Sequence, residues 1–521
     1  MPAAAKQHRL THARLAALVG VVGLGLSLAL GARAGVVAPP EGLSAEGLVV
    51  AGVMLVMAGF WILEAMPFAA TGLLPLVLFP LLGVLPAKDI AKAYVNSTVL
   101  LLMGGFFLAK GLERWRVPHL MARVVERWAS GSPTALLLGL MGTTAFLSMW
   151  LSNTATALVM VTVAEAALAR AHEVPENRPR DLAGFRLALL LGVAYAANMG
   201  GLATPVGTAP NLLLLSIRKE LDPTAPPIAF VEWMILTVPL VLVLVPAIGV
   251  LLARVLSPFS RELRLGRREE GAVPPLVPAG RRALVIFSLT ALLWIFRSDV
   301  DLGFFKLPGW AGLLGLGKKV DDATVAMLGV VLMFLCPAGG SVDGEARGLS
   351  GRLRSWLSGE RVLDWESANR IPWYLLLLFG GGIALADAFS SSGLSAWLGD
   401  QLVWLKGAPP WLIVLALCLG MSLLTEVTSN TATTTLVLPV LFAAAGALDL
   451  PPLLLMWPAT LCASAAFILP ISTPPNAIVA GAGPISPLEM ARVGVWLNLL
   501  AVVLVTLVAM LWLVPRMGLS W

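Results

Sequence analysis

The chain has 521 residues, 58% of them hydrophobic and only 13% charged, with a mean hydropathy of +0.87. This balance excludes a soluble globular protein and leaves an all-α polytopic membrane protein, with room for roughly ten to twelve spans of ~20 apolar residues each and little extramembrane mass. The net charge of +6 is accounted for by the Lys and Arg that collect in cytoplasmic loops, a better match than nucleic-acid binding.

At the N-terminus Lys6, Arg9 and Arg14 precede an apolar stretch from Leu15 to Leu30 and then Ala32-Arg33-Ala34. This resembles a secretory signal with a cleavage site. A chain that is itself an integral membrane protein needs no separate signal, so the segment reads as an uncleaved first span with a cytoplasmic N-terminus. Apolar runs centred near residues 24, 54, 76 and 101 read as four spans. The segment 110–128 that follows interleaves Lys110, Arg114, Arg116, Arg123 and Arg127 with Trp, Leu and Val, the pattern of an amphipathic helix on the membrane surface. Two short apolar arms, 134–150 and 155–169, then meet at the polar Ser152-Asn153-Thr154, which predicts a re-entrant hairpin over about 134–169. The apolar stretch 184–217 contains Thr204-Pro205-Val206-Gly207-Thr208-Ala209-Pro210-Asn211. Each proline removes a backbone donor and clashes with the preceding turn, so the helix must break there. A span at 230–256 closes a first half, residues 1–256 with spans 1–6, and a basic cytoplasmic linker occupies 257–281.

Residues 282–521, with spans 7–11, repeat this programme. Gly104 maps onto Gly381, and the same offset of 277 carries Ser152-Asn153-Thr154 onto Ser429-Asn430-Thr431. Thr208-Ala209-Pro210-Asn211 has its partner in Thr473-Pro474-Pro475-Asn476. A second re-entrant hairpin is therefore expected at about 410–447 and a second broken helix at about 453–482. Residues 110–128 carry five basic against two acidic residues, a net of +3, whereas their counterparts 387–405 carry only Asp387 and Asp400, a net of −2. By the positive-inside tendency the two copies lie in opposite orientation. A last span at 492–515 leaves the C-terminus external.

A polar tripeptide in hydrocarbon-grade sequence is costly unless something polar visits it, and two in matched places suggest one site built by two repeats. Ser, Asn and Thr at a tip present hydroxyls, an amide and the free N–H groups of the arm that follows, an anion site that needs no Lys or Arg. Two such tips suit an object with two negative ends, and a dicarboxylate is the simplest. Carbonyls freed at Gly207-Thr208 and Ser472-Thr473 are hard ligands suited to sodium, so anion and cation would share the site and neutralise one another. Glu426, whose first-half counterpart is Met149, has two readings, a proton site or an internal partner for local hydroxyls and amides, of which the second is preferred, and Glu165 reads as structural. The Gly-rich stretches 103–105 and 380–382 read as close helix packing. Cys336, Cys418 and Cys462 lie singly in or beside apolar runs as small core residues. No nucleotide-binding or metalloprotease pattern occurs and no nucleophile–base pair is visible, so an enzyme or an ATP-driven pump gains no support.

Paired Ser-Asn-Thr motifs together with Thr208-Ala209-Pro210-Asn211 and Thr473-Pro474-Pro475-Asn476 resemble the divalent anion/sodium symporter family, whose members carry dicarboxylates, citrate or sulfate. The resemblance covers about residues 45–515. It implies eleven transmembrane helices and two re-entrant hairpins in inverted repeats, a homodimer, and a transport part that moves past a scaffold in an elevator-like shift. It further implies a bacterial inner-membrane protein that imports dianionic dicarboxylates of the succinate class with sodium as the co-transported ion and no organic cofactor. A sulfate or citrate carrier and a sodium-independent exchanger stay open. The implied substrate contacts are Ser152, Asn153, Thr154, Thr208, Ser429, Asn430, Thr431, Thr473 and Pro474. The implied sodium ligands are Ser148, Ser152, Asn153 and Gly207 for one ion, and Thr425, Thr428, Asn430 and Ser472 for the other. Thr208 stands where some members have Ser, and Thr428 and Ser472 where some have Ala.

Overall fold

The computed structural model of the chain describes residues 12–128, 132–266, 275–301, 305–317, 319–339, 359–483 and 485–517. Among these, 11 helices are long and apolar enough to cross a membrane, within the ten to twelve that length and composition allow, and the chain is an integral membrane protein. Helices α1 (His12–Arg33) and α2 (Ala45–Ile62) pack backbone to backbone at Gly25 and Gly52. A Cβ on either glycine would lie within 2.6 Å of the other's carbonyl oxygen. The run near residue 76 differs from expectation: it forms α3 (Phe68–Gly72) and α4 (Leu74–Leu82), five and nine residues long. Pro67, Pro75 and Pro80 interrupt it, and at 1.5 Å per residue the pair reaches only about 22 Å.

Next come α5 (Ala87–Tyr94) and α6 (Ser97–Arg114), the latter capped by Asn96, whose side chain accepts from the N–H groups of Thr98 and Val99. The surface helix expected over 110–128 starts later than its polarity suggested. Helix α6 runs on to Arg114, the chain reverses at Trp115 and Arg116, with Arg116 at φ 54°, and α7 spans Val117–Trp128. Ion pairs keep the polar last turn of α6 in place: Lys110 with Glu113 at 2.6 Å, and Arg114 with Glu360 at 2.5 Å and Asp364 at 2.8 Å. The side chain of Arg127 lies outside the described residues.

The first hairpin is α8 (Pro133–Ser148) and α9 (Asn153–His172), and the broken helix is α10 (Pro179–Gly200) and α11 (Ala209–Leu221). Helix α12 (Phe230–Leu251) ends in a π turn, Leu252–Leu256. The start of the linker is tied down. Asn177 donates from Nδ2 to the Ala171 and Arg264 carbonyls, both at 2.7 Å, and its Oδ1 accepts from the Arg264 N–H at 2.8 Å. Helix α13 (Pro278–Ile295) begins inside the stretch read as linker, with proline in its first turn. A small antiparallel pair, β1 (Val300–Asp301) and β2 (Lys306–Leu307), precedes α14 (Trp310–Leu313), α15 (Asp322–Leu335) and α16 (Trp365–Ala368).

From α17 (Trp373–Ser391) the earlier order of elements recurs. A short helix, α18 (Leu394–Asp400), leads to a hairpin of α19 (Pro410–Val427) and α20 (Asn430–Ala447), then to a broken helix of α21 (Pro452–Ala463) and α22 (Pro474–Ala482). The long α23 (Pro487–Val508) ends, like α12, in a π turn, Ala509–Leu513. Arm α9, with 20 residues, outruns the predicted 155–169, whereas α19 and α20, 18 residues each, fill the expected 410–447; all three are among the 11 apolar helices. In α9 the gain is Asn153 and Thr154 at the tip and Arg170, Ala171 and His172 at the far end, and in α20 the tip residues Asn430 and Thr431 open the first turn. The glycines of α6 and α17 serve close packing, as expected. A Cβ on Gly104 would meet Ala326 of α15 at 2.6 Å, and one on Gly381 would meet the Gly72 carbonyl at 2.3 Å.

Candidate functional site

Each tip is shaped by where its helix begins. Helix α8 stops at Ser148, Leu151 N–H donates to the Leu147 carbonyl at 2.9 Å, and Ser152 turns extended as the N-cap of α9. Its hydroxyl accepts from the Ala155 N–H at 3.2 Å. At the second tip Thr428 and Ser429 are extended, α20 begins at Asn430, and the Ser429 hydroxyl makes no capping bond. The breaks follow the same logic. Thr208 and Thr473 are extended N-caps, and the prolines behind them occupy first-turn positions where no N–H is needed.

Buried asparagines staple both breaks. Asn211 donates from Nδ2 to the carbonyls of Gly201 at 3.0 Å and Thr204 at 2.8 Å; Asn476 donates to those of Ala466 at 3.0 Å and Leu469 at 3.1 Å. Asn198 of α10 joins the two breaks, donating to Thr473 Oγ1 at 3.1 Å and approaching Asn476 Oδ1 at 3.3 Å. The repeated asparagine after the prolines was visible in the sequence, but its task as a staple and the part of Asn198 were not. Unwound carbonyls that would otherwise lack donors explain both.

These elements enclose one cavity of about 480 Å³. Its polar wall carries Ser152, Asn153 and Thr154 of the first tip and Thr428, Ser429, Asn430 and Thr431 of the second. Asn198, Gly207, Thr208, Ser472, Thr473 and Pro474 complete it from the broken helices. All nine residues expected to touch substrate are thus brought together, over the N-termini of four helices, α9, α11, α20 and α22. The lining from α2, α3, α6, α17 and the turn after α2 is mostly apolar, with Ile62, Phe68, Leu102, Phe106, Leu375 and Leu378 beside Glu64 and Tyr374. Among the lining residues there is no Lys, Arg or His, and the one carboxylate is Glu64.

Of the eight residues expected to hold sodium, six line the cavity; Ser148 and Thr425 are fully buried behind it. Ser148 Oγ lies 2.7 Å from both Asn153 Oδ1 and the Ala197 carbonyl. A Cβ on Gly201 would fall 2.7 Å from Asn153 Oδ1, and one on Gly207 would fall 2.4 Å from the Gly201 carbonyl oxygen, so both glycines are required by space. Asn430 Oδ1 is buried with no hydrogen-bond partner, an open oxygen at the second tip. The hydroxyl of Thr428 pairs instead with Thr433 Oγ1 at 2.6 Å. Glu426, 4% exposed, lies outside the cavity and holds the second break from behind. Its carboxylate accepts from the backbone N–H groups of Phe467, Ile468 and Leu469 at 2.8–3.0 Å and from Asn498 Nδ2 at 2.8 Å. That is the internal role read for it. Glu165 is exposed and takes no part in the site.

Residues 58–457 match the family model described as citrate transporter, CitMHS. The chain is 37% identical over 490 residues to the sodium-dependent dicarboxylate transporter SdcS of Staphylococcus saprophyticus, covering 92% of this chain and 89% of that protein. To SdcS of Staphylococcus aureus it is 37% identical over 478 residues, covering 90% and 86%. Two solved structures share the fold at low identity. The YdaH transporter of Alcanivorax borkumensis aligns with a TM-score of 0.54 at 16% identity, covering 82% of this chain and 86% of that one. MtrF of Neisseria gonorrhoeae, from a class of antimetabolite efflux pumps, aligns at 0.54 and 15%, covering 96% and 95%.

Proposed function

The chain belongs to the citrate transporter (CitMHS) family, in keeping with its divalent anion/sodium symporter motifs, and on that premise we propose that it is a sodium-coupled symporter importing dianionic dicarboxylates. It is a membrane transporter and not an enzyme. One observation carries the substrate class: four helix N-termini converge on a cavity that contains no cationic side chain. Free N–H groups and hydroxyls at helix starts bind carboxylates through partial charges. Two tips on one cavity match two carboxylates.

The same lining argues for sodium. Partial charges alone hold a dianion weakly, and Glu64 opposes it, so a co-bound cation supplies the missing positive charge. Asn153 and Asn430 would each face the anion with one side and a sodium ion with the other. Ser148, Ser152, Asn153 and Gly207 would hold the first ion, and Thr425, Thr428, Asn430 and Ser472 the second. The unpartnered Asn430 Oδ1 supports the second set, since a buried acceptor without a donor is costly unless a cation visits it. Binding of sodium and of anion then favour one another by the same factor.

The polar lining comes mainly from the hairpins and broken helices, and the lining from α2, α3, α6 and α17 is mostly apolar. That division supports an elevator-like shift, in which α8–α12 and α19–α23 carry the site along a greasy surface made by α2, α3, α6 and α17. A homodimer, a site in the bacterial plasma membrane, a cytoplasmic N-terminus and an external C-terminus complete the proposal. The test is uptake of labelled succinate into proteoliposomes with and without an inward sodium gradient, with malate, citrate and sulfate as competitors. Succinate uptake driven by sodium and blocked by malate is the expected result. Uptake indifferent to sodium would overturn the coupling, and preferential block by sulfate would overturn the substrate class.

A further inference from the structure

Two polar side chains interrupt the mostly apolar lining, Glu64 and Tyr374. Tyr374 stands in the first turn of α17, one helical turn from Leu378 and facing the cavity with it. It is 53% exposed, and among the described residues its hydroxyl has no hydrogen-bond partner. Trp373 and Tyr374 open a span and suit an interfacial aromatic pair, and the place of Tyr374 in the cavity lining gives its phenol a second use.

We propose that Tyr374 is a specificity-determining residue that reads a hydroxyl on the carbon chain of the bound dicarboxylate. This rests on the dicarboxylate reading above. With both carboxylates held at the two tips, the middle of the substrate is left to the mostly apolar lining. There a hydroxyl substituent meets Leu102, Phe106, Leu375 and Leu378, none of which can replace the water it loses. The Tyr374 phenol can donate to it or accept from it without adding charge. Glu64 can accept, but its negative charge stands against a dianion. Succinate has no hydroxyl to offer, so it gains nothing from Tyr374. A 2-hydroxy C4 dicarboxylate does.

The contact is made only while the tips share the cavity with this lining. It therefore favours hydroxylated substrates in one orientation of the carrier, and shows in exchange and release as well as in uptake.

The experiment compares the wild-type protein with Tyr374→Phe, which keeps the ring and removes only the hydroxyl. Purified protein in proteoliposomes is assayed for sodium-driven succinate uptake with malate as competitor. Loss of one neutral hydrogen bond should raise the inhibition constant for malate about three- to tenfold while the KM for succinate stays unchanged. An unchanged malate-to-succinate ratio overturns the proposal, and an equal loss for both substrates assigns Tyr374 to packing and overturns it too. Tyr374→Leu should show the same malate-selective loss, which separates the hydroxyl from the ring. Wild-type protein that carries no succinate at all would instead overturn the underlying reading.

Discussion

At the scale of single residues, the two asparagines of the tips differ in a way their identical motifs conceal. Asn153 Oδ1 is engaged by Ser148 at 2.7 Å, whereas Asn430 Oδ1 is buried and unpartnered. Alanine at either position should lower sodium-driven uptake by at least about tenfold, because each side chain is proposed to serve anion and cation together. Their stabilities should diverge. In sodium-free buffer Asn153→Ala should lose about 1 kcal/mol with its hydrogen bond, while Asn430→Ala removes an unsatisfied acceptor and should melt no lower than wild type. Thermal unfolding of the purified variants beside uptake assays checks both. Strong transport by either variant would refute the shared role. Gly207→Ala is a sharper steric test, since its methyl would sit 2.4 Å from the Gly201 carbonyl oxygen. The first break cannot close around it, and uptake should fall by more than about tenfold even where the protein still reaches the membrane.

At the scale of elements, the broken helices are held open by side chains. Asn211 and Asn476 each satisfy carbonyls that unwinding has released, and Glu426 satisfies three N–H groups of the second break alone. Removing a staple strands those groups in a buried place, so Asn476→Ala should destabilise by about 1–3 kcal/mol, read as a lower midpoint in a detergent melting curve. Sodium should recover part of that loss, because ions that bind the ordered break favour it. No recovery up to high sodium would separate the staple from the cation site. The sequence made the breaks legible through proline spacing. It left α6 and α7 misplaced, because polarity begins at Lys110 while the helix ends at Arg114, where ion pairs to Glu360 and Asp364 protect a charged last turn.

At the scale of the whole molecule, a cavity with no Lys, Arg or His among its lining residues would make sodium part of the proposed anion site. Sodium should therefore raise the melting temperature of the purified protein where potassium does not, and succinate should add to the rise only when sodium is present. A sodium-independent shift with succinate would break that linkage. The sequence by itself determined the membrane class, the doubled order of elements, the tips and the breaks, because hydropathy, proline and repetition are local or periodic signals that survive without coordinates. The nine residues proposed to touch substrate were named from motif and resemblance, and the structure brings them to one cavity. Only the tertiary structure decided that four helix starts share one cavity, that Asn198 ties one break to the other, that Glu426 stands behind the site, and that Tyr374 faces it. Those facts depend on which residues meet across hundreds of positions of chain. A lone Asn in an apolar helix or a Tyr after a Trp carries no local mark of the neighbour that packing will give it.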